Sequence, residues 1–314
     1  MPQIVHDPDR MRALVVEARA AGRRVGFVPT MGALHAGHAS LVARAASACD
    51  DVAVSIFVNP TQFGPQEDFA RYPRTLAADA ALLTPHGVRW IYAPEVSAVY
   101  PPGDATRIVV GGPAVRLEGE RRPGHFDGVA TVVCKLFLTV PADTAYFGAK
   151  DWQQTLVVKS MVRDLGLPIE IVVCPTVREA DGLAMSSRNA YLSAAERLRA
   201  VALSESLGQA EQLWAAGADA AAIERMMRET MEARGIVVDY ATVADSESLE
   251  PLAADAVQAM ALVAGRLGST RLIDNRELRD RGPSAARNTP DQGHTPDSGR
   301  TPDSCHTPDH GQAH

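Results

Sequence analysis

Four short β-branched runs, Val25–Val28, Val52–Val58, Val88–Tyr92 and Ile169–Val173, recur along the N-terminal part of the chain with helical segments between several of them. Runs this short and apolar suit strands buried on both faces, and their alternation with helices is the pattern of a parallel α/β sheet. Ala36–Ala48 and Trp152–Leu165 carry apolar residues three and four apart, the spacing of amphipathic crossover helices. The expected fold is therefore α/β, a Rossmann-like parallel sheet.

Near Asn189 the texture changes. Ser193 and Glu196 stand in capping-box spacing ahead of an Ala-rich helical stretch, which runs to Arg234 and gives way to the strand-like segments IVVDYATV, AVQAMALVAG and TRLIDN. This predicts a second, smaller α+β domain. A chain of 314 residues has room for both units. The divisions are drawn at residues 1–176, 177–282 and 283–314. In the last of these, Thr-Pro-Asp recurs at Thr289, Thr295, Thr301 and Thr307 with no apolar side chains to stack, so the tail is expected to be disordered.

Charge and cysteine usage narrow the function classes. A formal charge of −7 and a pI near 5.7 give no broad positive field, which argues against nucleic acid as the main partner. Cys49, Cys134, Cys174 and Cys305 are far apart and form no CxxC pair, as in a reducing cytoplasm. The start MPQIVHDPDRMRALV lacks a signal-peptide pattern, and no later run has the length of a membrane span. A cytoplasmic, non-membrane protein is expected.

The stretch PTMGALHAGHASL, Pro29 to Leu41, lies where the first strand run hands over to a helix. A helix N-terminus offers unpaired N–H groups and the positive end of a dipole, and Gly32 and Gly37 allow close approach of a ligand. His35 and His38 are three apart, on one helical face, and imidazoles there can donate to phosphoryl oxygens. On this turn alone three readings stand: an anion or nucleotide site, half of a zinc site, and simple packing. A Walker GxxxxGK[ST] motif is absent.

TMGALHAGHASL resembles the TxGxxHxGH signature of the adenylate-forming nucleotidyltransferases, and Pro-Thr-Met-Gly-Ala-Leu-His is similar to the pantoate-β-alanine ligase family among them. SIFVNPTQF, LEGERRPGHFDGV, YFGAKDWQQ and VREADGLAMSSRN follow in the order of that family, so that the resemblance spans about residue 1 to Asn275. It implies ATP-dependent joining of pantoate to β-alanine through a pantoyl adenylate, with Mg2+ accompanying ATP, a homodimer, and a place in vitamin B5 and coenzyme A biosynthesis.

The resemblance also implies site residues. ATP falls to Met31, Gly32, Ala33, Leu34, His35, Ala36, Gly37 and His38, then to Gly148, Ala149, Lys150 and Asp151, then to Val177, Met185, Ser186, Ser187 and Arg188. His38, His35 and Lys150 are the catalytic candidates, with electrostatic stabilisation as the role of His38. Gln62 and Gln154 are implied as substrate contacts, and Asp79 is the candidate Mg2+ ligand. Glu118, Arg122 and His125 would shape the pantoate end or a subunit contact. Read without the family, the alternative for Lys150–Asp151 is a surface ion pair, and MSSRN is equally a capping turn. Ala149 departs from the family's Gly-Glu-Lys-Asp, which removes one peripheral carboxylate.

Overall fold

A computed structural model of the protein describes residues 1–281 apart from 66, 254 and 255. The Thr-Pro-Asp repeat falls outside the described residues. The chain runs β1 (Gln3–Val5), α1 (Pro8–Ala20), β2 (Val25–Thr30), α2 (Ala36–Ala46), β3 (Asp51–Ile56), α3 (Leu76–Leu83), β4 (Trp90–Tyr92), α4 (Val96–Val99), α5 (Glu118–Arg121), α6 (His125–Thr139), β5 (Thr144–Gly148), α7 (Trp152–Asp164) and β6 (Glu170–Cys174). It continues with α8 (Ala194–Ala200), α9 (Ala202–Ala215), α10 (Ala220–Glu232), β7 (Val237–Ala244), β8 (Ala259–Leu267) and β9 (Thr270–Leu278).

The first six strands form one sheet in the order β1-β4-β3-β2-β5-β6, every pair parallel. Strand alternation divides its core. Phe27, Ala53, Trp90 and Tyr92 point to the face covered by α1, α6 and α7, whereas Val28, Val54 and Ile91 meet Leu41, Val42 and Leu83 on the other face. Phe27 packs edge-on to Phe137 at 6.3 Å between ring centroids. The order reverses at β2: β3 and β4 continue to one side and β5 returns to the other. The carboxyl ends of β2 and β5 therefore border the crevice where open α/β sheets take ligands.

β7, β8 and β9 form an antiparallel meander against α9 and α10, with its own core around Leu203, Trp214, Met227 and Val263. Both the parallel α/β sheet and the smaller α+β unit thus match the expectation from sequence. Two strands escaped it. β1 is three residues long, and β5 (TAYFG) is too short for its period to stand out. Among the described residues no helix is long and apolar enough to cross a membrane.

The two units are docked through both apolar and charged contacts. Leu156 and partly buried Trp152 of α7 pack with Met260 and Leu262 of β8. Glu118, 5% exposed, receives two Arg271 guanidinium bonds at 2.6 and 2.7 Å and the Tyr240 hydroxyl at 2.8 Å. The residue expected to shape a substrate or subunit surface is here the centre of an interdomain ion pair.

Candidate active site

The turn after β2 is tightly built. Thr30 Oγ1 donates to the Ser55 carbonyl at 2.6 Å and accepts from the Gly32 N–H at 3.2 Å. Gly32 has φ +83°, and a Cβ there would stand 3.0 Å from Ile56 Cγ2 and 3.1 Å from Asp79 Oδ2. Ala33 follows with φ +52°, a strained value for a residue with a side chain. What holds it is Asp79 of α3, 3% exposed, which accepts from the N–H of Ala33 at 3.2 Å and of Leu34 at 2.8 Å and from the Thr75 hydroxyl at 3.3 Å. Asp79, expected as a Mg2+ ligand, meets backbone and hydroxyl donors with both oxygens here. Its oxygens are buried and committed to shaping the loop.

His35 caps α2 from its N-terminus. Its Nδ1 accepts from the Gly37 N–H at 3.1 Å, and His38 Nδ1 accepts in return from the His35 N–H at 3.3 Å. This is the reciprocity of a capping box, built from imidazoles instead of a hydroxyl and a carboxylate. A Cβ on residue 37 would lie 2.8 Å from His35 Cε1, so the glycine between the histidines makes room for the first ring to fold over the helix start. The two rings lie 4.2 Å apart between centroids.

The capping fixes the tautomers. A nitrogen that accepts a backbone N–H carries no proton, so each ring bears its proton on Nε2 and presents a neutral donor. Burial, with His35 adding to it, pushes His38 down to about 3, and burial with Lys150 nearby lowers His35. His125 is likewise buried, and with Arg122 beside it falls to about 4. An unfolded histidine protonates near 6.5, so the stability tied to His38 and His125 is present above that pH and is lost as pH falls toward 4 and 3. Imidazole NMR of the folded protein should show His38 neutral and protonated on Nε2 from pH 8 to pH 5. A His38 titration near pH 6.5 would contradict this geometry.

The facing wall comes from the turn between β5 and α7 and from the segment after β6. Lys150, its side chain 20% exposed, lies in the 3-10 turn Ala149–Asp151, with Nζ 3.8 Å from Asp151 Oδ1. Lys150 is partly buried at the cavity wall, whereas the Asp151 side chain is 49% exposed. Gln154 lines the cavity, while its neighbour Gln153 turns away to bond the Pro113 and Arg116 carbonyls and the Glu118 N–H. Ser187 Oγ donates to the Ala33 carbonyl at 3.0 Å, which ties this segment to the β2–α2 turn. Ser186 Oγ accepts from the Arg188 N–H, a local cap. Arg188 makes a two-point pair with Asp68 at 3.0 and 3.1 Å. Burial opposes its charge, yet the Asp68 bonds outweigh burial and raise its pKa.

Gln62 closes the third side. Asn59, 1% exposed, donates to Gln62 Oε1 at 3.1 Å and to the Gly128 carbonyl, and accepts from the Tyr100 hydroxyl, which fixes the orientation of the glutamine amide. His125 Nδ1 bonds the Gln62 carbonyl at 2.9 Å, and Arg122, paired with Glu67, donates to His125 Nε2 at 3.0 Å.

These walls enclose a cavity of about 230 Å³ at the carboxyl ends of β2 and β5. Met31, His35, Gly37, His38, Gly148, Lys150, Asp151, Val177, Met185, Ser186, Ser187 and Arg188 line it, as do Gln62 and Gln154. Gly32, Ala33, Leu34, Ala36 and Ala149 are absent from the lining and supply backbone behind it, and Asp79 stands further back. A second cleft of about 760 Å³ opens from the same region between the two units and shares Gln62, Lys150 and Arg188. Among the described residues no group of three His, Cys, Asp or Glu side chains is placed to hold a metal ion, and both Nδ1 atoms of the histidine pair are engaged with backbone.

Sequence reading did not single out Asn59, Asp68, Asp274 or Asn275. Asn59 carried a usable signal, an Asn-Pro turn directly after a strand. The others act across long sequence separations and had none. Neutral donors, an ammonium group and two amides around one crevice can bind a polyphosphate beside a small hydroxylated acid and stabilise charge that grows between them.

The family described as Pantoate-beta-alanine ligase matches residues 3–277. A pantothenate synthetase of Acidiphilium cryptum is 52% identical over 273 residues, 87% of this chain and 98% of the relative. The crystal structure of pantothenate synthetase from Thermus thermophilus superposes with a TM-score of 0.82 at 48% identity, covering 88% of this chain and 99% of that one. A pantoate-beta-alanine ligase from Francisella tularensis, complexed with beta-gamma ATP and beta-alanine, gives a TM-score of 0.74 at 34% identity, covering 88% and 97%.

Proposed function

The chain belongs to the pantoate-β-alanine ligase family, and from that premise we propose how its own residues carry the reaction. The enzyme condenses pantoate with β-alanine at the expense of ATP, releasing AMP and pyrophosphate, in pantothenate biosynthesis. The observation that carries the assignment of roles is the pair of Nε2–H donors on His35 and His38, which share one cavity with Lys150 and with Gln62 and Gln154.

In the first step a pantoate carboxylate oxygen bonds to the α-phosphorus of ATP, the bond from that phosphorus to the bridging oxygen breaks, and pyrophosphate leaves with the electron pair. Negative charge builds on phosphoryl oxygens, where the neutral donors of His35 and His38 and the Lys150 ammonium stabilise it without moving a proton. Ser186, Ser187 and Arg188 extend the donor set. Arg188 keeps guanidinium N–H groups beyond those given to Asp68. Met31, Val177 and Met185 border the nucleoside end.

Gln62 and Gln154 offer amides that donate and accept at once, suited to the hydroxyls of pantoate. In the second step the amine nitrogen of β-alanine attacks the acyl carbon, the bond to the adenylate oxygen breaks, AMP departs, and the nitrogen loses a proton. Residues 177–282 serve as a lid over residues 1–176, and the docked unit excludes water from the hydrolysable acyl adenylate.

Mg2+ would be held mainly by ATP phosphates and water, the usual habit of this ion. Asp151, which lines the cavity beside Lys150, would offer a carboxylate to its hydration shell. We read the protein as a cytoplasmic homodimer on the strength of family membership.

The direct test is pyrophosphate release from MgATP with pantoate, with and without β-alanine, followed by mass analysis. Sustained release that requires both substrates and yields pantothenate is expected. Release independent of pantoate would overturn the proposal.

A further inference from the structure

β9 belongs to the C-terminal unit, yet its side chains reach both loops that carry the phosphate cations. Side chains alternate along a strand. On one face of β9, Arg271 grips Glu118 and Asn275 reaches the 3-10 turn of Lys150. On the other face lies Leu272, in the C-terminal core, and next along it Asp274. Asp274 makes a two-point pair with Arg178 at 2.7 and 3.1 Å, in the segment that leads to Met185–Arg188.

The bonds from Asn275 are specific. Its Nδ2 donates to the Ala149 carbonyl at 2.9 Å and to the Lys150 carbonyl at 2.7 Å, and the side chain is buried. One amide thus holds two successive carbonyls of the short turn whose middle residue is Lys150. With the C-terminal unit displaced, those carbonyls would lose their partner to water and the turn would lose its restraint.

We infer that Asn275 is a positioning residue that makes Lys150 competent for adenylate formation only while the C-terminal unit is docked on the parallel sheet. The inference rests on the reading of Lys150 as the cation that neutralises departing pyrophosphate. It gives docking a chemical consequence, because the acyl adenylate then forms in the arrangement that also shields it from water. Asp274 anchors the second loop from the same dipeptide, so one strand sets both walls together.

A double-mutant cycle tests this. Wild type, Asn275→Ala, Lys150→Ala and the double variant are compared in single-turnover pyrophosphate release and, separately, in β-alanine capture of supplied pantoyl adenylate. Asn275→Ala should slow adenylation about 100-fold at saturating ATP, the scale of a misplaced reacting group. The KM for ATP should stay within about 3-fold, adenylate capture should be unchanged, and on the Lys150→Ala background the same substitution should cost less than about 2-fold.

Equal losses on both backgrounds, or equal losses in both half-reactions, would overturn the proposal and leave Asn275 a packing residue. Adenylation by Asn275→Ala within about 3-fold of wild type would overturn it too. If Asn275→Ala fails to fold, Asn275→Asp carries the same cycle, since it keeps the size and turns an acceptor toward the two carbonyls. Full-rate adenylation by Lys150→Ala would instead overturn the reading of the site itself.

Discussion

Replacing His38 with alanine lowers the rate of adenylate formation by about 10²- to 10³-fold, the range seen when one preorganised donor is removed from a site of developing charge. The Nε2–H of His38 is aimed by the bond its Nδ1 accepts from the His35 N–H, so the donor needs no reorganisation as the transition state forms. Truncation also removes the third-position half of the capping box, at a cost of up to about 1 kcal/mol. His38→Gln separates the two effects. A glutamine at the third helical position can reach back to the N-cap N–H as in an ordinary capping box, so that variant should regain the lost stability while remaining slow. Single-turnover pyrophosphate release and thermal unfolding measured on the same samples check both halves. A folded His38→Ala protein with the wild-type adenylation rate would remove His38 from the mechanism. Acidification should not rescue activity, because a ring already neutral in the native site gives up no proton in the proposed step.

Arg271→Ala carries the largest expected loss of stability, about 3–5 kcal/mol, the cost of removing one partner from a buried ion pair. Arg271 serves Glu118 through two bonds and Asp239 through a third at 2.7 Å, so truncation strands two carboxylates, one of them deeply buried. Glu118→Gln should cost less, because Arg271 keeps Asp239.

The pH dependence should invert. In the native protein burial pushes the Glu118 carboxyl up, but the Arg271 bonds outweigh it and hold it below the usual carboxylate range. Its contribution is present above the unfolded value and lost as pH falls through the folded one. Without Arg271, burial is opposed only by the Tyr240 hydroxyl and by Arg122, and the folded value rises. Stability is then greater at low pH and declines as pH rises through it. Urea denaturation followed by the fluorescence of buried Trp214 should show a larger deficit at pH 8 than at pH 5. A deficit equal at both would show that Glu118 is not left charged and buried.

Much of the site was legible because its parts are local. The meeting of His35 and His38 at a helix start is contained in four residues, although His35 stands at the extended N-cap, not on the helical face, and their mutual capping shows only in the structure. The carboxyl-end placement of Gln62 follows from a strand that ends three residues before Asn59. The loop-shaping bonds of Asp79 had no local signal for the opposite reason. A carboxylate near a phosphate loop looks available in sequence, whereas its engagement with the N–H groups of Ala33 and Leu34, about 45 residues away, becomes visible only in the fold. Glu118 is similar, since its partner Arg271 lies 153 residues further on.

Residue order alone set the βα handover, the pairing of two histidines at a helix start and the change from a parallel to an antiparallel unit. These depend on periods, caps and turn glycines that act within a few residues. The docking of β9 against the Lys150 turn and the commitment of Asp79 and Glu118 to structure were settled by the folded arrangement. Burial turns a distant charge or amide into an obligatory partner, and separations of 125 and 153 residues leave no local trace of which partner that is.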